Sequence, residues 1–167
     1  EHMKRSAITL KLMTSAKYGS TVAAPTYALP EKIGGDKNWD YRYAWVRDAA
    51  FTMYAFMRLG FIEEASHFMK WIYDLIDSDI NGDVELQIMY RIDGSRDLEE
   101  EELDLEGYKQ SQPVRIGNAA TGQLQLDVFG ELMDTIYLFD KYGQNVMYSF
   151  WRNVEKLIDF VCKNWEN

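Results

Sequence analysis

Apolar residues recur every three to four positions in five segments of the chain, and this is the period of an amphipathic α-helix. The three prolines, Pro25, Pro30 and Pro113, all fall between these segments, where they do not interrupt a helix. Two short segments, residues 21–24 and 86–91, favour β structure instead. The pattern therefore predicts an all-α protein with a short β segment in its connecting loops. The five predicted helices cover residues 3–14, 46–59, 62–77, 119–142 and 146–165.

The predicted helices differ in how their apolar residues are distributed. Residues 49–57 of the second helix are apolar on nearly every side, which is typical of a helix buried all round, and Gly60 is suited to end it. The third and fifth helices carry a single apolar stripe and belong at the surface, while the fourth is intermediate. Outer helices wrapped around inner ones would give this alternation. A compact bundle of four or five helices has the same periodicity, so the pattern alone leaves both architectures open.

Charge and composition restrict the partners and the compartment. A net charge of −9 argues against nucleic acid as a partner, because a phosphate backbone binds a basic surface. The sequence has no apolar run approaching the ~20 residues of a membrane span, and its first residues lack the apolar core of a signal peptide. The single cysteine, Cys162, cannot form an internal disulfide, which fits a reducing compartment. We therefore expect a cytoplasmic protein, with Cys162 buried beside the apolar stripe of the fifth helix.

Two acidic segments were considered as metal sites. Residues 77–85 begin like a calcium loop, but Ile88 stands where an EF-hand requires a bidentate glutamate. The four glutamates at 99–102 are typical of a solvated loop. His67 has no partner nearby in sequence and lies on a surface-type helix. The sequence thus predicts no metal site and no cofactor, and a plain helix-to-strand turn around residues 81–82.

The segment with the most distinctive chemistry is residues 34–50, which contains two Trp, two Tyr, two Arg and three Asp and runs directly into the buried second helix. Aromatic rings offer flat apolar faces to sugar rings. Arg47 and Asp48 place a bidentate donor beside a bidentate acceptor, which suits a pair of adjacent hydroxyls. From chemistry alone, carbohydrate binding and a structural Arg–Asp pair under an aromatic lid are equally good interpretations.

Four segments together resemble the glucoamylase family, glycoside hydrolase family 15. The main one is residues 38–49, Asn-Trp-Asp-Tyr-Arg-Tyr-Ala-Trp-Val-Arg-Asp-Ala, and a second is residues 113–127, from Pro113 through Gly117-Asn118-Ala119-Ala120 to Asp127. Residues 20–26 and 87–94 also resemble family segments. The matches occur in the family's order and cover almost the whole chain.

This resemblance implies the fold and the site. The family fold is an (α/α)6 barrel, often preceded in prokaryotic members by a β-sandwich, and residues 1–167 would be roughly its first five helices, ending before the general-acid loop. By resemblance, Arg47 and Asp48 would hold hydroxyls of the non-reducing glucose, and Tyr41 and Trp45 would line its site. Arg115 and Asn118, ahead of the fourth helix, would face the same pocket. Fungal glucoamylases have a tryptophan where this chain has Ser111, so its outer sugar site is expected to differ.

The resemblance also implies an activity. The family hydrolyses α-glucosides with inversion, using one glutamate as acid and another as base. Neither is expected within this chain, so the chain alone is predicted to be inactive, and the parent protein to be a glucoamylase or a trehalase. The alternatives are a non-catalytic glucoamylase-like domain for interaction or sugar sensing, and a stable fragment without an independent role. An exposed barrel interior would make the isolated chain self-associate.

Overall fold

Five α-helices dominate the computed structural model, which describes residues 1–78, 86–143 and 146–166. The all-α class is confirmed, and most helix boundaries fall within two residues of those predicted. The turn expected at 81–82 and most of the calcium-like segment 77–85 lie outside the described residues. The helices are α1 (His2–Leu12), α2 (Val46–Leu59), α3 (Ile62–Ser78), α4 (Asp127–Tyr142) and α5 (Tyr148–Asn164).

The described residues also contain two small antiparallel strand pairs. Strand β1 (Ala44–Trp45) pairs with β2 (Met89–Tyr90), and β3 (Glu101–Leu103) pairs with β4 (Val114–Ile116). The predicted β segment at 86–91 is thus confirmed in shortened form. The β-prone segment at 21–24 forms only a single bridge, between Thr14 and Thr21. The glutamate run was expected to be a solvated loop, but its second half is strand β3, because its backbone pairs with β4 while its side chains remain in solvent.

The core forms where α2 packs against α3 and α4. Residues at three- and four-residue spacing on α2, among them Val46, Ala49, Met53 and Phe56, are at most 2 % exposed. Helix α2 ends at Gly60, whose left-handed backbone (φ 83°) lets its N–H reach the last carbonyls of the helix. The stripe predicted on α3 is also buried, through Ala65, Phe68, Met69, Ile72 and Ile76.

Two expectations about side-chain burial were wrong. Helix α2 is not buried on every side, because Phe51 is 58 % and Tyr54 48 % exposed on the face away from its packed stripe. Cys162 is exposed, because it lies outside the stripe through which α5 packs on the core.

None of the described helices is long and apolar enough to span a bilayer.

The fourth helix begins eight residues later than predicted. Asn118 does act as a cap, since its Oδ1 accepts the Ala120 N–H at 3.0 Å, but the turn that it caps is a short 3-10 helix, Ala119–Gly122. Gln123 then adopts an extended backbone (φ −89°, ψ 142°), which interrupts the helical path. The α-helix starts only at Asp127.

Replacing Leu132 with alanine tests the assignment of the core. Leu132 lies on α4 and is fully buried, so Leu132→Ala should lower the free energy of unfolding by about 2–5 kcal/mol, measured by urea denaturation. The matched control is Leu12→Ala, since Leu12 is 81 % exposed and its truncation should change the free energy by less than about 0.5 kcal/mol. Equal effects of the two substitutions would contradict this description of the core.

Candidate functional site

Backbone hydrogen bonds hold residues 38–45 in an extended path that leads to the N-terminus of α2. The Tyr41 N–H donates to the Thr26 carbonyl at 3.0 Å, and the Tyr41 carbonyl accepts from Ala24 at 2.9 Å. Beyond this point the chain pairs as β1 with β2, and the first amide of α2, at Val46, donates to the Ile88 carbonyl at 3.0 Å. Backbone hydrogen bonds therefore hold this segment both at Tyr41 and at its junction with α2.

Asp40 is the centre of the polar network beneath this path. Its side chain is fully buried, and Arg42 binds it in a bidentate way, with Nε 2.9 Å from Oδ1 and Nη2 2.7 Å from Oδ2. The N–H of Gly117, 77 residues away in sequence, donates to Oδ2 at 3.3 Å and to the Tyr43 hydroxyl at 3.1 Å. The Asp40 carbonyl accepts from the side-chain amide of Asn118 at 3.2 Å. Asp40 thus joins two of the four segments that carry the family resemblance, residues 38–49 and 113–127.

The electrostatics of this network favour the charged carboxylate. Burial alone would raise the pKa of Asp40, but the hydrogen bonds from Arg42 and Gly117 outweigh it and lower that pKa below its ordinary value. Gly117 is suited to its position because its backbone is left-handed (φ 79°) and a Cβ there would collide with the Glu99 carbonyl.

Arg47 and Asp48 lie in the first turn of α2 and face the N-terminus of α4. Arg47 Nη1 donates to Asp127 Oδ2 at 2.9 Å and to Gln125 Oε1 at 3.2 Å. Arg47 Nη2 lies 3.6 Å from Asp48 Oδ2, too far for a hydrogen bond. The side chains of Arg47 and Asp48 are 35 % and 49 % exposed, so both can reach a ligand in solution.

The two predicted aromatic residues pack against each other, and Trp45 is the N-cap residue of α2. The rings of Tyr41 and Trp45 are 6.2 Å apart and tilted by 41°. Trp45 is 9 % exposed and Tyr41 is half-buried, so Tyr41 offers more ring surface to solvent. Burial, followed by the charge of Glu31, raises the pKa of Tyr41 and keeps its hydroxyl a hydrogen-bond donor.

The other two predicted residues, Arg115 and Asn118, are more deeply built into the structure. The Arg115 guanidinium stacks 5.0 Å above the Trp39 ring, lies 3.4 Å from Glu100 and is 11 % exposed. Its buried Nε has no hydrogen-bond partner among the described residues. The Asn118 side chain binds Asp40 and Ala120, as described above. That these two residues contact a sugar remains a prediction, whereas their contacts show that they support the loops of the motif.

The structure therefore places the six predicted residues in separate contacts: Tyr41 lies against Trp45 and Arg47 lies near Asp48. Asn118 binds Asp40, and Arg115 stacks on Trp39. The structure also adds Gln125 and Asp127, which sequence reasoning did not assign to the site. An acidic residue in the first turn of a helix is a candidate site residue, and Asp127 holds that position in α4. The sequence prediction began this helix at residue 119, so Asp127 was placed in its interior.

Two open clefts, of about 670 and 490 Å³, contain none of the six residues. The first is lined partly by the exposed His67, and the second borders the Asp40 network. Among the described residues, no group of three His, Cys, Asp or Glu side chains could hold a metal ion.

Comparison with known proteins places this arrangement in a family. The chain belongs to glycosyl hydrolases family 15, whose sequence profile matches residues 1–167. It is 40 % identical to a trehalase of Mycolicibacterium smegmatis over 99 % of this chain and 25 % of that protein. It is 43 % identical to a trehalase of Thermoplasma acidophilum over 97 % of this chain and 27 % of that protein. The chain therefore spans about a quarter of the length of these curated relatives.

Solved structures show the same fold. A wild-type glycosidase superposes with a TM-score of 0.63 at 18 % identity, covering 98 % of this chain and 40 % of that one. A glycosidase variant in complex with glucose gives a TM-score of 0.64 at 18 % identity, covering 99 % and 40 %. The helices described here form the corresponding part of an (α/α)6 barrel, as the sequence predicted.

Replacing Asp40 with asparagine tests the network. Asp40→Asn should lower the free energy of unfolding at pH 7 by roughly 1.5–3 kcal/mol, the range for hydrogen bonds to a charged group. Because the folded-state pKa is depressed, the stabilisation is complete above the unfolded-state value of ~3.9 and is lost as the pH falls through the folded-state value.

The measurement is chemical denaturation of both proteins at pH 7 and at pH 3, where the difference between them should narrow. Asp36→Asn is the control, since Asp36 is an exposed residue of the same segment. A wild-type advantage that stays constant down to pH 3 would show that the ionised carboxylate is not the stabilising species.

Proposed function

We propose that this chain supplies the glucose-binding part of a glycosidase that releases glucose from the non-reducing end of an α-glucoside. The observation that carries the proposal is the Arg47–Asp48 pair, which is partly exposed in the first turn of α2. Trp45 is the N-cap residue of this helix, and the Tyr41 ring packs against Trp45. Within the described ranges, Arg47 makes hydrogen bonds only through Nη1. Its Nε and Nη2 donors therefore remain available beside the acceptor Asp48, which is the combination that two neighbouring sugar hydroxyls require.

Trehalose is the substrate that the observations favour. The relatives at 40–43 % identity are trehalases, and their matches extend over nearly all of this chain. Ser111 is fully buried and its Oγ accepts the Gly34 N–H at 2.8 Å. A buried serine offers no stacking surface at the place where fungal glucoamylases have a tryptophan, which weakens the case for starch and malto-oligosaccharides.

The residues of this chain bind and orient sugar rather than cleave it. Arg47 donates to hydroxyls, Asp48 accepts from them, and the half-buried Tyr41 ring covers one face of the glucose. Inverting hydrolysis needs two further carboxyl groups, one to protonate the leaving oxygen and one to activate water on the opposite face. We assign neither role to a residue of this chain, so the chain alone should not turn over. A cytoplasmic location fits the single free cysteine.

A non-catalytic, glucoamylase-like domain that senses sugar or mediates an interaction is the alternative. It would use the same Arg47–Asp48 pair for binding but would release no glucose. Activity therefore separates the two, whereas binding does not.

Glucose release from trehalose, maltose and soluble starch should be measured with the 167-residue chain and with the complete gene product. We expect the complete product to act on trehalose with the highest kcat/KM and the chain alone to be inactive. Arg47→Lys and Asp48→Asn should each lower kcat/KM by about 10²-fold, because they remove the bidentate geometry that positions the glucose.

The matched control is Arg58→Lys, at an exposed position on the same helix, which should leave kcat/KM unchanged. A preference for maltose or starch would identify a glucoamylase instead. Inactivity of the complete product on all three sugars would favour the non-catalytic alternative, and turnover by the isolated chain would contradict the assignment of the catalytic groups elsewhere.

We also propose that the isolated chain self-associates through the exposed face of α2. Phe51 and Tyr54 are adjacent on that face and together expose a large aromatic surface. Sedimentation velocity should show association that increases with concentration, and Phe51→Glu should shift the protein towards the monomer. Leu12→Glu is the control, on the 81 % exposed α1 position. A wild-type chain that stays monomeric up to about 100 μM would refute this interface.

A further inference from the structure

Arg47 is held on one side of its guanidinium group by two acceptors from a different part of the chain. Its Nη1 carries two N–H donors, and they are directed to Asp127 Oδ2 at 2.9 Å and to Gln125 Oε1 at 3.2 Å. The Gln125 amide is itself oriented, because its Nε2 donates to Gln123 Oε1 at 2.9 Å. Both Nη1 protons are therefore used by the protein.

The opposite side of the same guanidinium is not tied in this way. Within the described parts of the chain, Nε and Nη2 make no hydrogen bond, and Nη2 is 3.6 Å from Asp48. Since a guanidinium is planar and rigid, fixing Nη1 also fixes the directions of the remaining donors. The acceptors at 125 and 127 thus determine where the free donors of Arg47 point.

Stability gives no sufficient reason for this arrangement. The side chains of Arg47 and Asp127 are 35 % and 55 % exposed, and exposed ion pairs contribute little to folding. Asp127 nevertheless acts on Arg47 more strongly than Asp48 does, since the hydrogen bond to Asp127 is the largest cause of the raised pKa of Arg47. An exposed pair with good geometry and little value for folding is better explained by a role in positioning.

We propose that Asp127, assisted by Gln125, is a positioning residue that aims the free donors of Arg47 at the hydroxyls of the glucose. This inference rests on the proposed function of the Arg47–Asp48 pair and extends the site to the loop and first turn of α4. The start of α4 and the start of α2 then act together, although they are 80 residues apart in sequence.

The test compares Asp127→Asn with Asp134→Asn in the complete gene product, measuring KM and kcat for trehalose, inhibition by glucose and the melting temperature. Asp134 is an exposed residue about two turns further along α4, so its replacement makes the same change of charge on the same helix. We expect Asp127→Asn to raise KM and to weaken glucose inhibition by about tenfold, with a melting temperature within about 2 °C of wild type. Asp134→Asn should change none of these values.

A double-mutant cycle separates positioning from an independent effect. If Asp127 acts through Arg47, Asp127→Asn should have almost no further effect in an Arg47→Lys background. Additive effects of the two substitutions would overturn the inference. So would a normal KM in Asp127→Asn when Arg47→Lys is impaired, and in that case the proposed function would stand. Unchanged kinetics in Arg47→Lys itself would refute the proposed function and the inference with it.

Discussion

The arrangement of this structure depends on one buried carboxylate, that of Asp40. A fully buried charge is unfavourable unless it is paired and hydrogen-bonded, and Asp40 meets that condition through the bidentate contact with Arg42 and the N–H of Gly117. Two of the hydrogen bonds to Asp40 join distant segments of the chain. The Gly117 N–H and the Asn118 side-chain amide, from the segment before α4, donate to Asp40 in the segment before α2.

The residues of the candidate site differ in how deeply they are buried. The Asp40 side chain is fully buried and that of Arg115 is 11 % exposed, whereas Arg47, Asp48 and Asp127 are one-third to about half exposed. The buried contacts supply rigidity, and the exposed groups remain able to exchange water for a ligand. Substitutions of Asp40 or Arg115 should therefore act mainly on the free energy of unfolding, and those of Arg47, Asp48 or Asp127 mainly on the proposed ligand binding.

The sequence predicted the helices well because their apolar periodicity reflects packing that is local to each helix. The sequence-based prediction was wrong where the local structure depends on contacts with residues far away in the chain. The start of α4 was misplaced because Asn118 is a good cap residue, and only the three-dimensional structure shows that it caps a 3-10 turn. Strand β3 was missed because glutamates favour solvent, and its pairing partner is the distant segment β4. Helix α2 was expected to be buried on every side, but its Phe51–Tyr54 face is exposed. A helix that is apolar all round has no polar face, so its sequence does not indicate which side the described residues cover.

The aromatic residues of the motif likewise give less ring surface to solvent than their number in the sequence suggests. Trp39 stacks on the Arg115 guanidinium, Tyr43 is buried with its hydroxyl accepting the Gly117 N–H, and Trp45 is 9 % exposed. Tyr41 is half-buried. From sequence alone, an aromatic residue that supports a loop and one that stacks on glucose are indistinguishable. The charged residues are more informative. When the protein binds the donors on one side of an arginine, the donors on its other side point in a fixed direction and stay available to a ligand. That asymmetry of Arg47, which residues 125 and 127 create, is the observation that most supports the proposed glucose site.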